Sequence, residues 1–588
     1  MSSSNQERAP LLPALTLWRR LSAGERAGDL VAGLITAALL VPQGMAYAAL
    51  AGLPPQAGLY TALAPLLLYA LFGSSRVLSM GPMALTSLLV GETLAGAGAG
   101  ADYMGYAALL AALVGAWLLL LYFCRLGRLI DFVSPSVMQG FTTASALMIV
   151  LSQLGDLLGV EGTRGNLIEQ LLGLAAVVGG FLPGAALFGG VSLILLLLLR
   201  RGFEPLLKAL GLPEGAAAVV GRTGPLLVLI ASIMIAPLWS GALPRVGPIP
   251  GGLPMPALPT LSLEAFEALW VPALGIALIN YVSAISVAQT LAARNRERLY
   301  TQRELWVLGA ANLLAALTRG FPVTSGLARA VVNDQAGSRS PLSSLFAALA
   351  LSLVLLLATG LFAPLPHAVL AAIVIQAAIP LIDAGPLVRA WRYSRADGLA
   401  WMAAFAGVLL FGVMEGLLVG VGIALALLLA RASRPHIAEI GRLPEGAFRN
   451  VERFDVEVRD HLLMVRPDGD LHFANMGALE RWINNRLSEH DRVSDLVLVL
   501  SSVTHIDGAA LHNLEKLDER LDQQGIALHL AELRGPVRDQ LCATDFMSEH
   551  CQRIFFTCEA AWQALAESPS SRAPTEASAE PSGAGRGG

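Results

Sequence analysis

The chain has 588 residues, of which 55% are hydrophobic and 14% charged, with a formal net charge of −4. Mean hydropathy is +0.61, so there is too little charge to cover a soluble protein of this size and no basic excess to suit a nucleic-acid partner. The four cysteines, Cys124, Cys542, Cys551 and Cys558, form neither a CxxC pair nor a zinc spacing; reduced thiols are expected, with no metal and no cofactor.

Residues 1–28 form a polar lead containing Arg8, Arg19, Arg20 and Arg26. It lacks an apolar core followed by a small-residue cleavage site, so no cleavable signal peptide is expected. Over residues 29–431 apolar runs recur at about the ~20-residue length that crosses a bilayer. Fourteen spans are expected, near 30–49, 57–72, 82–95, 105–123, 134–154, 184–199, 224–240, 268–292, 303–318, 322–336, 343–362, 366–382, 397–412 and 413–430.

Loop charge orients them. The even-numbered connections carry Arg76; Arg125 and Arg128; Arg200, Arg201, Lys208 and Arg222; Arg294, Arg296, Arg298 and Arg303; Arg339; and Arg389, Arg392 and Arg395. The odd-numbered ones carry Arg164, Arg245 and Arg319. Cationic loops stay on the cytoplasmic side, so both termini are expected there.

Residues 432–566 are charged, and strands alternate with amphipathic helices. Strands are expected at 455–466, 470–474, 496–503 and 526–533, with helices at 476–489 and after Asp507. Such alternation gives a sheet covered by helices. Residues 567–588 are rich in Ser, Pro, Ala and Gly and read as a disordered tail.

Within the apolar block, Gly81-Pro82 opens the third expected span and Pro322 the tenth. A proline belongs at a helix start, not in its interior. Two short, proline-opened spans seven apart point to an inverted repeat, because an odd offset reverses the second half. Their N-termini would then meet head to head. A helix N-terminus presents unpaired N–H groups and about half a positive charge, so two of them make an anion site that needs no metal.

Arg329, placed two turns into the tenth span, is a functional candidate because charge inside a membrane is costly; the competing reading is a side chain snorkelling to an interface. In VPQGMAYAALAGLPP (41–55), Pro42 and Gly44 loosen the first span, while Gln43 and Tyr47 share a face. In INYVSAISVAQ (279–289), Asn280, Ser283, Ser286 and Gln289 recur at helical spacing on the eighth. With the two broken helices these faces form further walls of the site; helix–helix packing by small and polar residues is the competing reading of both motifs.

The stretch PQGMAYAALAGLPPQAGLYTALAPLLLYALFGSSRVLSMGPMALTSLL resembles the signature of the SulP family, the sulfate permease-type anion transporters that include prestin. VGPIPGGLPMPALP (246–259) and FPVTSGLARAVVNDQAG (321–337) are similar to family motifs, and the C-terminal region resembles a STAS domain. The resemblance spans roughly residues 15–565.

It implies seven plus seven inverted spans, divided into a core (spans 1–4 and 8–11) and a gate (5–7 and 12–14), beside an α/β STAS-like domain. It also implies a homodimer in a lipid bilayer, and an anion carried by elevator-like movement of core against gate. Carried over by position, Gln43 and Tyr47 face the anion from the first span. Met83 and Ala84 do so from the third, Ser283 from the eighth, and Leu327, Ala328 and Arg329 from the tenth.

Three positions depart from the family pattern. Ser283 stands where many bacterial and plant members have Glu, Gln43 where some bacterial members do, and Ala328 where many relatives have Ser. The missing carboxylates favour anion exchange or sodium coupling over proton coupling. In the STAS-like region Gly508 and Ala509 follow Asp507 where related anti-sigma antagonists carry a phosphorylated Ser; Asp507 is then a helix cap.

The expected activity is secondary anion transport with sulfate as first substrate, and bicarbonate, chloride or a dicarboxylate as alternatives. A nucleobase permease would be expected to place carboxylates in spans eight and ten. A membrane sensor would show no flux. An enzyme is not expected, since His367 and His436 stand apart from any Ser or Cys constellation.

Overall fold

The structure is a computed structural model that describes residues 21–127, 134–160, 162, 165–211, 213, 217, 221, 223–296, 299–490, 492–546 and 551–566. Arg8, Arg19, Arg20, Arg128, Arg164, Arg222, Arg298 and the tail 567–588 lie outside the described residues. The chain divides into two compact units between Leu425 and Ala426.

Every expected span corresponds to a helix, the last of them running across the division between the units. In order these are Ala23–Leu50, Pro55–Phe72, Ala84–Gly96, Tyr103–Phe123, Pro135–Leu158, Pro183–Ala209, Gly224–Ile235, Leu263–Asn295, Thr301–Leu317, Leu327–Gln335, Ser343–Leu357, His367–Ala378, Arg395–Phe411 and Val413–Ala432. They are called spans 1 to 14 below. Among the described residues eight helices are long and apolar enough to cross a membrane. The sequence reading missed two further helices, Leu167–Val177 and the strongly amphipathic Gly385–Tyr393, which lie in connections.

The packing repeats with an offset of seven. Span 4 packs on span 9, and span 11 on span 2; span 1 packs on span 11, and span 8 on span 4. Span 5 packs on span 13, and span 12 on span 6. Adding or subtracting seven converts each pair into its mate. The strongest of these contacts fall inside two bundles, spans 1–4 with 8–11, and spans 5–7 with 12–14, which are the expected core and gate.

Close approach inside the core rests on small residues. A Cβ on Gly58 would meet the backbone oxygen of Gly44, and one on Gly33 would lie 2.5 Å from the Ser343 oxygen. Span 1 is a continuous helix through Pro42. Gly44 therefore does not loosen it, as the sequence suggested, but lets spans 1 and 2 touch.

Both proline-opened helices start later than expected. A residue before proline is driven into extended backbone, and here the chain stays extended past the proline as well. Met80–Gly81 (β1) and Thr324–Ser325 (β2) are short strands, and the helices begin at Ala84 and Leu327. Arg329 is accordingly the third residue of span 10, in its first turn rather than two turns in.

The second unit holds a six-stranded sheet in the order β4-β3-β5-β6-β7-β8. Its strands are Ile437–Arg442, Phe448–Asn450, Leu462–Pro467, Asp495–Val499, Ala527–Ala531 and Ile554–Phe555, numbered β3 to β8. β5 to β8 are parallel, and β3 is antiparallel to both neighbours. The sequence reading missed β3, β4 and β8, began β5 too early at 455, and took 470–474 for a strand. Residues 470–474 make a single isolated bridge, Leu471 to Ile506. Period-2 alternation in the sheet sends Leu463, Val465, Leu496, Leu498, Leu528 and Leu530 to one face, beneath the helices Met476–Glu489, Gly508–Gln523 and Gly535–Leu541. Met464, Val497 and Val499 point the other way, toward the short helix Cys558–Ala564.

Candidate functional site

β1 and β2 pair antiparallel, with Met80 opposite Ser325 and Gly81 opposite Thr324. This pairing brings the starts of spans 3 and 10 together. Extended backbone at this depth must find partners, because no water is at hand to supply them. Polar side chains of the neighbouring spans provide them. Asn312 of span 9 accepts from the Val323 N–H at 2.9 Å and donates to its carbonyl at 3.1 Å. Asn280 of span 8 donates to the same carbonyl at 3.2 Å and accepts from Thr86 of span 3 at 2.6 Å. Thr61 of span 2 accepts from the Phe321 N–H at 2.9 Å.

Neither site helix has a side-chain cap. Met83 is the N-cap of span 3 and Gly326 that of span 10, both in extended backbone. The first N–H groups of each helix, including those of Ala84, Leu327 and Ala328, therefore keep their donor capacity. Ala84 is buried, while Leu327 and Ala328 are exposed.

Arg329 is 3% exposed. Its Nη1 donates to the Pro82 carbonyl at 2.6 Å, which ties span 10 to the approach of span 3. Its Nε and Nη2 have no hydrogen-bond partner among the described residues. An ideal Cβ on Gly81 would lie 3.3 Å from Nη2, so glycine at 81 leaves room for the guanidinium. The Oγ atoms of Ser87 in span 3 and Ser325 in β2 are likewise buried and without a partner among the described residues. Burial of this kind rules out the snorkelling reading of Arg329. A buried charge with idle donors is costly unless an anion completes it.

Spans 1 and 8 flank the junction, each packing on both span 3 and span 10. Tyr47 is buried and Gln43 half-buried, and neither side chain bonds to a described group. Ser283 is half-buried. The four polar residues of span 8 do not act as one face. Asn280 is fully buried in the lattice above, whereas Ser286 and Gln289 are exposed.

The sequence reading did not single out Thr61, Thr86, Ser87, Asn312 or Ser325. Ser325, directly before the N-cap glycine, was the one with a local signal; the others show their role only once the strands pair. It also passed over two buried carboxylates. Asp29 accepts from the Arg339 and Ser340 N–H groups at 2.6 and 3.0 Å. Glu304 accepts from Ser74 N–H at 3.0 Å and Tyr69 Oη at 3.2 Å. Both hold connecting loops, and neither bonds to Arg329.

The starts of spans 3 and 10 are thus joined by the paired strands beside a buried arginine. Residues 27–404 match the model of the sulfate permease family, and residues 453–561 that of the STAS domain. The chain belongs to the sulfate permease family.

It is 35% identical over 522 residues to the Arabidopsis thaliana chloroplastic sulfate transporter 4.1, covering 86% of this chain and 74% of that one. It is 34% identical over 563 residues to a probable sulfate transporter of Mycobacterium tuberculosis, covering 94% and 98%. In fold it is similar to the murine Solute Carrier 26 family member A9 anion transporter in its inward-facing state. There the TM-score is 0.84 at 22% identity, covering 95% of this chain and 94% of the other. This sulfate permease family member is therefore a polytopic membrane transporter of anions with a C-terminal STAS domain. It is not an enzyme.

Proposed function

We propose that the protein is a secondary active anion transporter with sulfate as its first substrate, bound between the N-termini of spans 3 and 10. The observation that carries this is Arg329, buried at the junction with Nε and Nη2 unpartnered. The anion lies against those donors and the free amides of Met83, Ala84, Leu327 and Ala328. Gln43, Tyr47 and Ser283 line its flanks. The names of the relatives support sulfate.

The transport unit covers residues 29–431 and the STAS domain 432–566, between a lead at 1–28 and a tail at 567–588. The protein works as a homodimer in the cell membrane with both termini in the cytoplasm. Loop charge supports that orientation. Core moves against gate in an elevator-like step, consistent with the two bundles. Exchange of anions fits the site better than proton coupling, because no described carboxylate bonds to Arg329 and its positive charge is left for the substrate. Sodium coupling stays as the alternative.

The test is radiolabelled sulfate uptake into liposomes holding the purified protein, with Arg329→Ala as control. Uptake that follows an internal anion and ignores pH supports the reading. Uptake driven by an inward proton gradient overturns the exchange assignment, and a sodium requirement replaces it. Flux of bicarbonate, chloride or a dicarboxylate without sulfate keeps the site and changes the substrate. No anion flux refutes transport and leaves a membrane sensor.

A further inference from the structure

Spans 12 and 13 are joined by a helix too short to be a span. Residues 382–384 leave the helical path after span 12, and the Asp383 carbonyl accepts from Thr143 Oγ1 of span 5 at 3.2 Å. The Asp383 carboxylate accepts from the Gly385 N–H at 2.8 Å and Pro386 follows, so a new helix starts, Gly385–Tyr393. Its nine residues reach about 14 Å, roughly half the ~30 Å interior of a bilayer. The helix packs on spans 5 and 13, both in the gate, and none of its residues is buried.

Its two sides differ in chemistry. Leu387, Val388 and Trp391 fall together at helical spacing, while Arg389 and Arg392 fall opposite, and Arg395 follows at the start of span 13. The apolar side is not covered: Val388 is 49% and Trp391 44% exposed. Trp391 lies against Gly398 in the first turn of span 13, where a Cβ would strike its ring. Span 13 continues with Leu399 and Met402, 47% and 46% exposed, the kind of apolar surface that a membrane span turns to lipid. All three arginines are exposed, and none makes an ion pair with a described residue. Of the two acids nearest in sequence, Asp383 is held by the Gly385 N–H and Asp397 sits in the first turn of span 13.

We infer that Gly385–Tyr393 is an interfacial helix that docks on an anionic phospholipid surface. Arg389, Arg392 and Arg395 meet the lipid phosphates, and Val388 and Trp391 enter the upper acyl chains. Charge complementarity decides the partner. An uncovered apolar side beside three exposed arginines suits a negative surface with hydrocarbon behind it, whereas a soluble anion would leave Val388 and Trp391 in water. Tryptophan also favours this depth, because its ring is apolar and its N–H needs a polar neighbour. The leaflet is the one on the side of the Arg-bearing loops. The site belongs to the gate and does not depend on what binds at Arg329.

The test uses the full-length protein, purified in a neutral detergent and stripped of lipid. Native mass spectrometry follows the binding of phosphatidylglycerol and of phosphatidylcholine, and a photoreactive phosphatidylglycerol marks where the lipid sits. Phosphatidylglycerol is expected to bind at least tenfold more tightly than phosphatidylcholine, to crosslink within residues 385–402, and not to be displaced by inorganic phosphate. A basic residue near an anionic surface contributes on the order of fivefold, so Arg389→Gln, Arg392→Gln and Arg395→Gln together bring the preference below threefold. Arg389→Lys, Arg392→Lys and Arg395→Lys together keep it. Trp391→Ser weakens both lipids alike. Arg200→Gln with Arg201→Gln, both exposed in span 6, leaves the preference unchanged. An undiminished preference in the triple glutamine variant, an equal loss in the Arg200 and Arg201 variant, displacement by inorganic phosphate, or crosslinks only elsewhere in the parent overturns the proposal. The crosslinks are read on the parent, so that arm holds whether or not a variant folds.

Discussion

Replacing Arg329 by Met separates a binding role from a structural one. In the parent the guanidinium makes one bond, to the Pro82 carbonyl, and leaves Nε and Nη2 idle. A hydrogen bond to a charged group contributes about 1.5–3 kcal/mol, so losing two to an anion removes about 3–6 kcal/mol. At a factor of ten per 1.4 kcal/mol, affinity falls on the order of 10²–10⁴-fold. The fold itself responds differently. Met removes a buried charge that is only partly satisfied, which offsets the lost Pro82 bond, so anion-free stability stays within about 2 kcal/mol of the parent.

Thermal unfolding with and without sulfate reads both effects. An anion at 100 times its Kd stabilises the folded parent by about 2.7 kcal/mol. The variant gains nothing measurable at the same concentration. If Arg329→Met keeps the full anion-dependent shift, the arginine is not part of the site. If the variant unfolds in the absence of anion, the residue is structural.

Gly58→Leu drives a side chain into the Gly44 backbone; with no flexible group to yield, it should abolish the folded membrane unit, seen as loss of a monodisperse chromatography peak. Asn280→Ala deprives the Val323 carbonyl and Thr86 Oγ1 of a partner and should cost about 1–3 kcal/mol of stability, read as a lower Tm; an unchanged Tm would show that the neighbours close the gap. In the STAS unit, N–H donors from Ala510 and Phe473 hold the Asp507 carboxyl below the usual carboxylate range. Its cap is therefore intact above the unfolded-state pKa of about 3.9 and is lost as pH falls through the lower folded value. Asp507→Ala should cost about 1 kcal/mol at neutral pH, and unfolding of the variant should depend less steeply on acid than that of the parent.

Much of the membrane architecture is legible in the chain. Apolar runs of bilayer length, the Arg-bearing loops and two proline-opened segments seven spans apart follow from composition and spacing, which tertiary packing does not have to reveal. Arg329 stands out for the same reason, as a charge among apolar neighbours. Helix boundaries were misplaced where backbone pairing overrode local preference. Pro82 and Pro322 promise helix starts, but the chain remains extended until β1 and β2 have paired, which moves Arg329 into the first turn. Gly44 was read as a flexible point because nothing in span 1 announces that Gly58 lies against it. Asn280 and Asn312 meet at Val323, and Thr86 joins Asn280, only after spans 3, 8 and 9 converge; of the three, Asn280 alone carried a sequence signal, and that signal did not show its partner. Local sequence thus determined which segments enter the membrane and which residue carries charge there. Only the tertiary structure decided which polar groups beside Arg329 are satisfied and which are left over, because satisfaction of a polar group depends on contacts hundreds of residues apart.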